Sequence, residues 1–393
     1  MKSIYQTMNR KYDAIVVGGG PTGSTAARLL AKSGLSTLLI EEQAHIGYPV
    51  QCAGLLSNSA FEECEVSDSS VLNTVSGADI KAGDSLCSFD AGRKMAYVVD
   101  RGVLDREMVF RAADAGAEIR LKTIATDISR TSHTVTLKGL NGTEEIYYSM
   151  LIAADGPRST ISRLLGIPRA PVYLSGLQCD VHYSAPTDHV QVYPNASPEF
   201  FGWVIPLSPE HARVGLCGIH QVHEKFTEFI RPYKDRCTHF VSGTIPLGTL
   251  SRTYDERILI AGDAAAMAKP TSGGGVYTGI RAARHAAHVA VQSIEHDDFS
   301  LQSMSAYEQA WKKDFGREIL KGFKIFKIRQ HISKNDMEHL VRILADPKVR
   351  ETIASKGDMD RPSHLIASLL LNPRMVPAWY LAGRALLQSK HKK

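Results

Sequence analysis

Residues 14–41 constrain this chain's fold more tightly than any other stretch. A short apolar run, Ala14-Ile15-Val16-Val17, leads into a turn with glycine at positions 18, 19, 20 and 23. Helix formers with apolar spacing at Ala27, Leu30 and Ala31 follow, closed by Gly34, and then a second apolar run, Thr37-Leu38-Leu39-Ile40. Four-residue runs of this kind read as strands buried on both faces, so the set predicts a βαβ unit. In Gly18-x-Gly20-x-x-Gly23 the first glycine permits the tight turn, the second lets the backbone approach a pyrophosphate, and the third lets the helix pack closely on the sheet. The helix start then offers free N–H groups and positive dipole to the phosphates. Glu41 stands 23 positions after Gly18, near the roughly 20 expected of a carboxylate that accepts ribose hydroxyls. A plain glycine turn in an unrelated α/β fold is the competing reading. The strand before, the helix after and the acid in place favour a dinucleotide site.

At 393 residues the chain is long for one compact core, and at least two domains are expected. With 44% hydrophobic and 22% charged residues it is neither disordered nor coiled-coil, and a net charge of +5 is too small and dispersed to argue for nucleic acid. The six cysteines lie far apart in sequence with no C-x-x-C pair, which points to a reduced, cytoplasmic protein without zinc or an iron–sulfur cluster. His220-x-x-His223 and His285-x-x-His288 lack further ligands, so no metal is expected. No stretch offers the roughly 18 apolar residues needed to cross a bilayer, so any membrane contact is expected to be peripheral.

Residues 105–115 read as a helix, Asn141-Gly142 as a hairpin turn, and residues 150–154 as a buried strand ending at Asp155-Gly156. Between 177 and 219 polar and apolar residues alternate (Leu177, Cys179 and Val181 against Gln178, Asp180 and His182), which predicts an antiparallel sheet with one covered face. Residues 258–261 return to the buried-strand pattern, a long helix starts near Gly275, and the last hundred residues are mainly helical. The fold class expected is α/β: a Rossmann-like nucleotide-binding domain (12–62, 95–168 and 250–295), an antiparallel-sheet substrate domain (63–94 and 169–249) and a helical C-terminal region (296–393).

The run Arg257-Ile258-Leu259-Ile260-Ala261-Gly262-Asp263 resembles the FAD-binding fold of the p-hydroxybenzoate hydroxylase class, whose Gly-Asp motif binds the ribityl chain, and Pro270-Thr271-Ser272-Gly273-Gly274-Gly275 continues as that class does. The resemblance implies FAD as cofactor. It places the N–H groups at Gly274, Gly275 and Val276 where they stabilise negative charge at the pyrimidine side of a reduced flavin. A second glycine motif for a nicotinamide domain is not visible.

Three stretches resemble the geranylgeranyl reductase family in particular: Gly47-Tyr48-Pro49-Val50-Gln51-Cys52, Tyr97-Val98-Val99-Asp100-Arg101 with Asp105, and Asp155-Gly156 followed by Arg163. The likeness spans about residues 12–290. It implies cofactor contacts from Gly18, Gly20, Thr22, Gly23, Glu41, Cys52, Ala53, Arg101, Ala125, Asp155 and Asp263, beside the glycine turn already named. Phe201-Gly202-Trp203-Val204-Ile205-Pro206 resembles the reductases' Tyr-x-Trp-x-Phe-Pro segment, departing at Phe201 and Ile205, and also approaches the Trp-x-Trp-x-Ile-Pro segment of flavin-dependent halogenases. Two further departures are Lys269, where the reductases generally carry Asp, and Leu55, where many carry glycine.

The activity implied is reduction of isoprenoid C=C bonds in membrane-lipid precursors. An isolated trisubstituted alkene has no carbonyl to polarise, so hydride delivery from reduced flavin must be coupled to protonation of the other carbon. Phe201 and Trp203 are the candidate walls of an apolar pocket that tolerates developing positive charge. Cys52 is the candidate proton donor or flavin-positioning group, with a small buried residue as the equal alternative. The implied partners are an isoprenoid lipid and an external electron donor, with nicotinamide, deazaflavin and ferredoxin all open. A flavin-dependent monooxygenase or halogenase of an aromatic or polyketide substrate is the second reading, and a non-catalytic lipid carrier the third. The apolar segments 365–371 and 376–387, followed by Lys390-His391-Lys392-Lys393, read mainly as ordinary core helices with an exposed basic tail, and otherwise as a lipid tunnel or a peripheral membrane surface.

Overall fold

The computed structural model describes residues 11–184 and 186–391, with side chains through Leu387, so the basic tail at 390–393 falls outside the described side chains. The expected βαβ unit is strand Lys11–Val17, helix Pro21–Lys32 and strand Thr37–Ile40. It sits at the centre of an eight-stranded sheet. The main path of that sheet is Tyr254–Asp255, Ile258–Ile260, Gly142–Ala153, Lys11–Val17, Thr37–Ile40 and Glu118–Arg120, parallel throughout except for the first pair. Ile15, Val16, Leu38, Leu39 and Ile152 are fully buried, because helices Pro21–Lys32 and Val276–Glu295 cover one side and further side chains the other. Strand Gly142–Ala153 serves two ladders: its first half pairs antiparallel with Thr134–Gly139, and its second half runs parallel with Lys11–Val17.

The helix expected from 105 runs instead over Arg101–Asp114. Asp100 caps it by accepting the Val103 N–H at 3.1 Å, and the preceding strand Ala96–Val99 leaves no gap for a longer loop.

The second sheet has seven strands in the order Cys237–Leu247, Val172–His182, His211–Gly218, Gly202–Ser208, His189–Tyr193, Gly77–Ala82 and Ser85–Asp90. It is not purely antiparallel as expected. Strand His189–Tyr193 runs parallel to Gly77–Ala82, since the hairpin 77–90 arrives from a distant part of the chain and is not constrained by a short turn. Cys179, Val181, Val214 and Leu216 face helix Val222–Phe229 through Phe226, which leaves the opposite sheet face to the nucleotide-binding half. Two cysteines far apart in sequence also meet here, with Cys179 and Cys237 sulfurs 3.3 Å apart across neighbouring strands.

The C-terminal region is helical as expected, from Leu301–Trp311 to Val376–His391. Its last two helices are not ordinary core, however. Leu369, Met375 and Ala378 are buried, while Leu370, Val376, Tyr380 and Leu387 are exposed and Leu371 is 86% exposed. Among the described residues no helix is long and apolar enough to cross a membrane.

Candidate functional site

The nucleotide end is built almost wholly from backbone. Gly18 has φ +105°, and a Cβ there would lie 2.3 Å from the Ala154 carbonyl oxygen. A Cβ on Gly23 would lie 1.8 Å from the Gly18 oxygen, whereas one on Gly20 would meet nothing within 4 Å, so the turn is closed at its base and open at its tip. Helix Pro21–Lys32 has no side-chain cap, which leaves its first-turn N–H groups free for a ligand. The Thr22 hydroxyl does not face that opening. It lies where a Cβ on Gly262 or Gly279 would come within 2.5 and 2.3 Å, so Thr22 offers its backbone N–H while its side chain packs.

Glu41 accepts the Gly19 N–H at 2.7 Å on one oxygen and the Gln43 N–H at 2.8 Å on the other, which fixes the carboxylate and keeps lone pairs free for hydroxyls. Ala125 is buried two residues beyond Thr123, whose N–H donates to the Glu41 backbone at 2.9 Å. Asp155 accepts the Thr160 and Ile161 N–H groups on one oxygen, at 2.7 and 3.1 Å, while its other oxygen is buried with no partner. Burial raises the Asp155 pKa against those hydrogen bonds.

At the flavin end, Arg101 makes a two-pronged pair with Asp105 at 2.9 and 3.0 Å. The Asp263 carboxyl is pushed up to about 6 by desolvation, with the Arg101 charge pulling it partly back. Among the described residues no protein donor bonds the Asp263 carboxylate, so its oxygens are free to accept from a ligand. A Cβ on Gly275 would stand 2.6 Å from an Asp263 oxygen, so the glycine keeps that carboxylate accessible. The next turn is closed by Lys269 N–H to Gly274 O (3.0 Å) and Gly273 N–H to Lys269 O (2.8 Å), and it opens helix Val276–Glu295 with no side-chain cap. An open glycine tip, an orphaned acid oxygen, an unbonded carboxylate and two bare helix starts fit an FAD molecule lying from Glu41 to Gly274 and Val276.

The free face of the second sheet closes over this groove. Gln178 donates to the Cys52 carbonyl at 3.1 Å, and Arg213, paired with Asp180 at 2.7 and 2.9 Å, donates to the Ala53 carbonyl at 3.2 Å. The Gly54 N–H lies 3.4 Å from the Cys52 sulfur. A cavity of about 210 Å³ lies here, lined by Val50, Arg101, Gln178, Asp180, Arg213 and His239 among others.

Farther along the same face the lining turns apolar. The Trp203 ring lies over Gly215, where a Cβ would come within 2.5 Å of it, and its edge meets Phe201 with centroids 6.2 Å apart. Phe201 in turn stacks on Phe200 at 4.3 Å. The Trp203 indole N–H is buried without a partner. Arg329, from the C-terminal region, donates to the carbonyls of Pro194, Ser197 and Phe200 and so fixes the approach to Phe201; burial lowers its pKa to about 10.

Gln178, Asp180, Arg213 and Arg329 are not among the site residues expected from sequence. Alternation showed that Gln178 and Asp180 share a face, but not that this face looks onto the groove rather than onto solvent.

Comparison with known proteins agrees with this geometry. The sequence profile of the FAD binding domain family matches residues 11–233. An uncharacterized protein of Methanocaldococcus jannaschii is 29% identical over 92% of this chain and 96% of its own length. Digeranylgeranylglycerophospholipid reductase 2 of Methanothermobacter thermautotrophicus is 30% identical over 85% of this chain and 92% of its own. The crystal structure of a geranylgeranyl bacteriochlorophyll reductase-like protein from Thermoplasma acidophilum superposes with a TM-score of 0.81 at 28% identity, covering 92% of this chain and 99% of that one. The cofactor is FAD and the protein is an oxidoreductase. The bare glycine turns, the free carboxylates and these relatives together establish that the chain belongs to the geranylgeranyl reductase family of FAD-binding flavoproteins.

Proposed function

We propose that this protein reduces isolated isoprenoid C=C bonds of a polar membrane-lipid precursor. One observation carries the reading: the sheet face over the groove grades from Asp180, Arg213 and His239 at one end to Trp203, Phe201 and Phe200 at the other. An amphipathic lipid matches that gradient, polar head toward the charged end and chain along the aromatic one. A small aromatic acid would leave the apolar end empty.

When bound and reduced, FAD supplies the hydride. The protein's own groups do the rest. Trp203 and Phe201 hold the chain, keep water out and present ring faces to positive charge developing on carbon. The Cys52 sulfur holds the proton for the other alkene carbon, with its peptide fixed from the sheet by Gln178 and Arg213. In this reading the exposed Leu370, Leu371, Val376 and Tyr380 rest on the membrane that stores the lipid. The names of the curated relatives do not favour the monooxygenase or halogenase alternative.

The test is anaerobic. Dithionite-reduced holoenzyme is mixed with a geranylgeranyl lipid, and each reduced bond adds a pair of hydrogens to the lipid mass. Unchanged masses beside a flavin that stays reduced sink the proposal. Hydroxylated product on admission of oxygen favours the alternative instead.

A further inference from the structure

A charged pair is buried where the C-terminal region meets the groove. Lys269 and Asp360 are 8% and 5% exposed, and their Nζ and Oδ1 atoms lie 2.5 Å apart. The Lys269 ammonium also donates to the Met359 carbonyl at 3.0 Å, and Ser57 donates to the other Asp360 oxygen at 2.5 Å. One carboxylate thus joins three elements: the turn that opens helix Val276–Glu295, the strand Leu55–Ser57 that follows the Cys52 segment, and the connector at residues 357–361. The lysine side chain lies along the glycine turn, since a Cβ on Gly274 would stand 3.1 Å from its Cε. Asp358 tightens the connector by accepting the N–H groups of Asp360 and Arg361 at 2.7 and 3.0 Å.

This arrangement sets Met359 against the same buried cluster as Trp203 and the cavity-lining Leu207. Met359, Ala53, Leu55, Leu207 and Trp203 all pack on the buried cluster of Val75, Ala96, Val98, Val190 and Ile205, and all five are themselves only partly buried. Side chains so placed keep part of their surface uncovered, and a flexible thioether is suited to an irregular apolar occupant.

We infer that the connector at residues 357–361 is a third wall of the substrate chamber, latched by the Lys269–Asp360 pair, and that Met359 is a chain-contacting residue that sets which isoprenoid fits. The inference rests on the isoprenoid reading above and assigns the C-terminal region a part in it. Breaking a buried pair from one side strands a charge, while replacing both partners by apolar groups does not. The latch therefore gives a distinctive pattern of variants.

The experiment uses FAD-loaded full-length protein and geranylgeranyl diphosphate as the probe, with binding read from the change in flavin absorbance and turnover read separately. Met359→Phe is expected to weaken binding of the probe by about tenfold, as an overfilled apolar pocket does, with FAD affinity within twofold of wild type. Asp360→Asn is expected to weaken both probe and FAD binding, by about tenfold each, and the double variant Lys269→Met with Asp360→Leu to recover FAD affinity. Probe affinity unchanged in both Met359→Phe and Met359→Ala overturns the inference. So does an Asp360→Asn protein whose FAD and probe affinities match wild type. If wild type binds the probe but reduces no alkene, the isoprenoid-reductase reading falls and the variants still decide the chamber wall; if wild type does not bind the probe, the inference falls with it.

Discussion

The two ends of the groove are made in opposite ways. Around Gly18, Gly23 and Glu41 the contacts are backbone to backbone or reach a carboxylate about twenty residues away. Around Cys52 they are side-chain contacts between segments more than a hundred residues apart, Gln178 on the Cys52 carbonyl and Arg213 on that of Ala53. The first kind of site is specified by close backbone packing and tolerates almost no change at Gly18 and Gly23. The second is specified only once the sheet and the C-terminal region have docked, so its residues are free to vary as long as partners vary together. A chain can therefore keep its cofactor while its substrate drifts.

Substitutions at either end should break this contrast or sharpen it. The largest effect is expected from Gly23→Ala. Its methyl would have to sit 1.8 Å from the Gly18 oxygen, so the turn must open, at a cost of several kcal/mol. Purified protein should be colourless and fail to take up FAD in a fluorescence titration; normal FAD uptake would refute the local-backbone account. Next comes Cys52→Ala, for which a lost proton donor predicts a fall in kcat of about a hundredfold with lipid KM little changed. A fall under fivefold would assign Cys52 to packing alone.

Asp263→Asn comes third and works in two directions. The folded carboxyl titrates near 6 against an ordinary 3.8, so the ionised form is a burden that grows as pH rises from 3.8 to about 6 and stays constant above. Removing it should make the apoprotein more stable by about 1–2 kcal/mol at pH 7.5, with little gain at pH 4. FAD binding should weaken, because one of the two acceptor oxygens offered to the cofactor becomes an amide donor and the negative charge is lost. Thermal melts at the two pH values check the sign, and equal shifts at both would refute the assignment. The smallest effect is expected from Arg213→Lys, which loses the two-pronged hold on Asp180 and should lower kcat about fivefold without altering FAD affinity. An unaltered kcat would show that the sheet does not position Cys52.

The sequence carried the nucleotide half because strand, glycine turn and acid follow one another with fixed spacing, and the alternation between 177 and 182 correctly assigned the two sides of a strand. It could not show which side would be covered by another domain, so Gln178 and Asp180 read as a solvated face. The parallel pairing of His189–Tyr193 with Gly77–Ala82 was hidden for a related reason, since pairing direction is written in short turns and none joins these strands. Lys269 stood out as a departure from its relatives, but its partner lies 91 residues onward, and a charge pair at that distance leaves no local pattern.

Trp203 gives the molecule a built-in gauge. It is one of three tryptophans, and of these Trp311 is bonded to Thr253 at 2.9 Å beneath the first sheet. An indole whose N–H has no partner, resting over the bare α-carbon of Gly215, emits at short wavelength while its surroundings stay dry. Arrival of a hydrocarbon tail beside it should change the intensity of that emission without reddening it, whereas flooding of the cavity by solvent should redden it. Because the Trp379 N–H is likewise buried without a partner, lipid entry can be timed without a label in a protein carrying Trp311→Phe and Trp379→Phe.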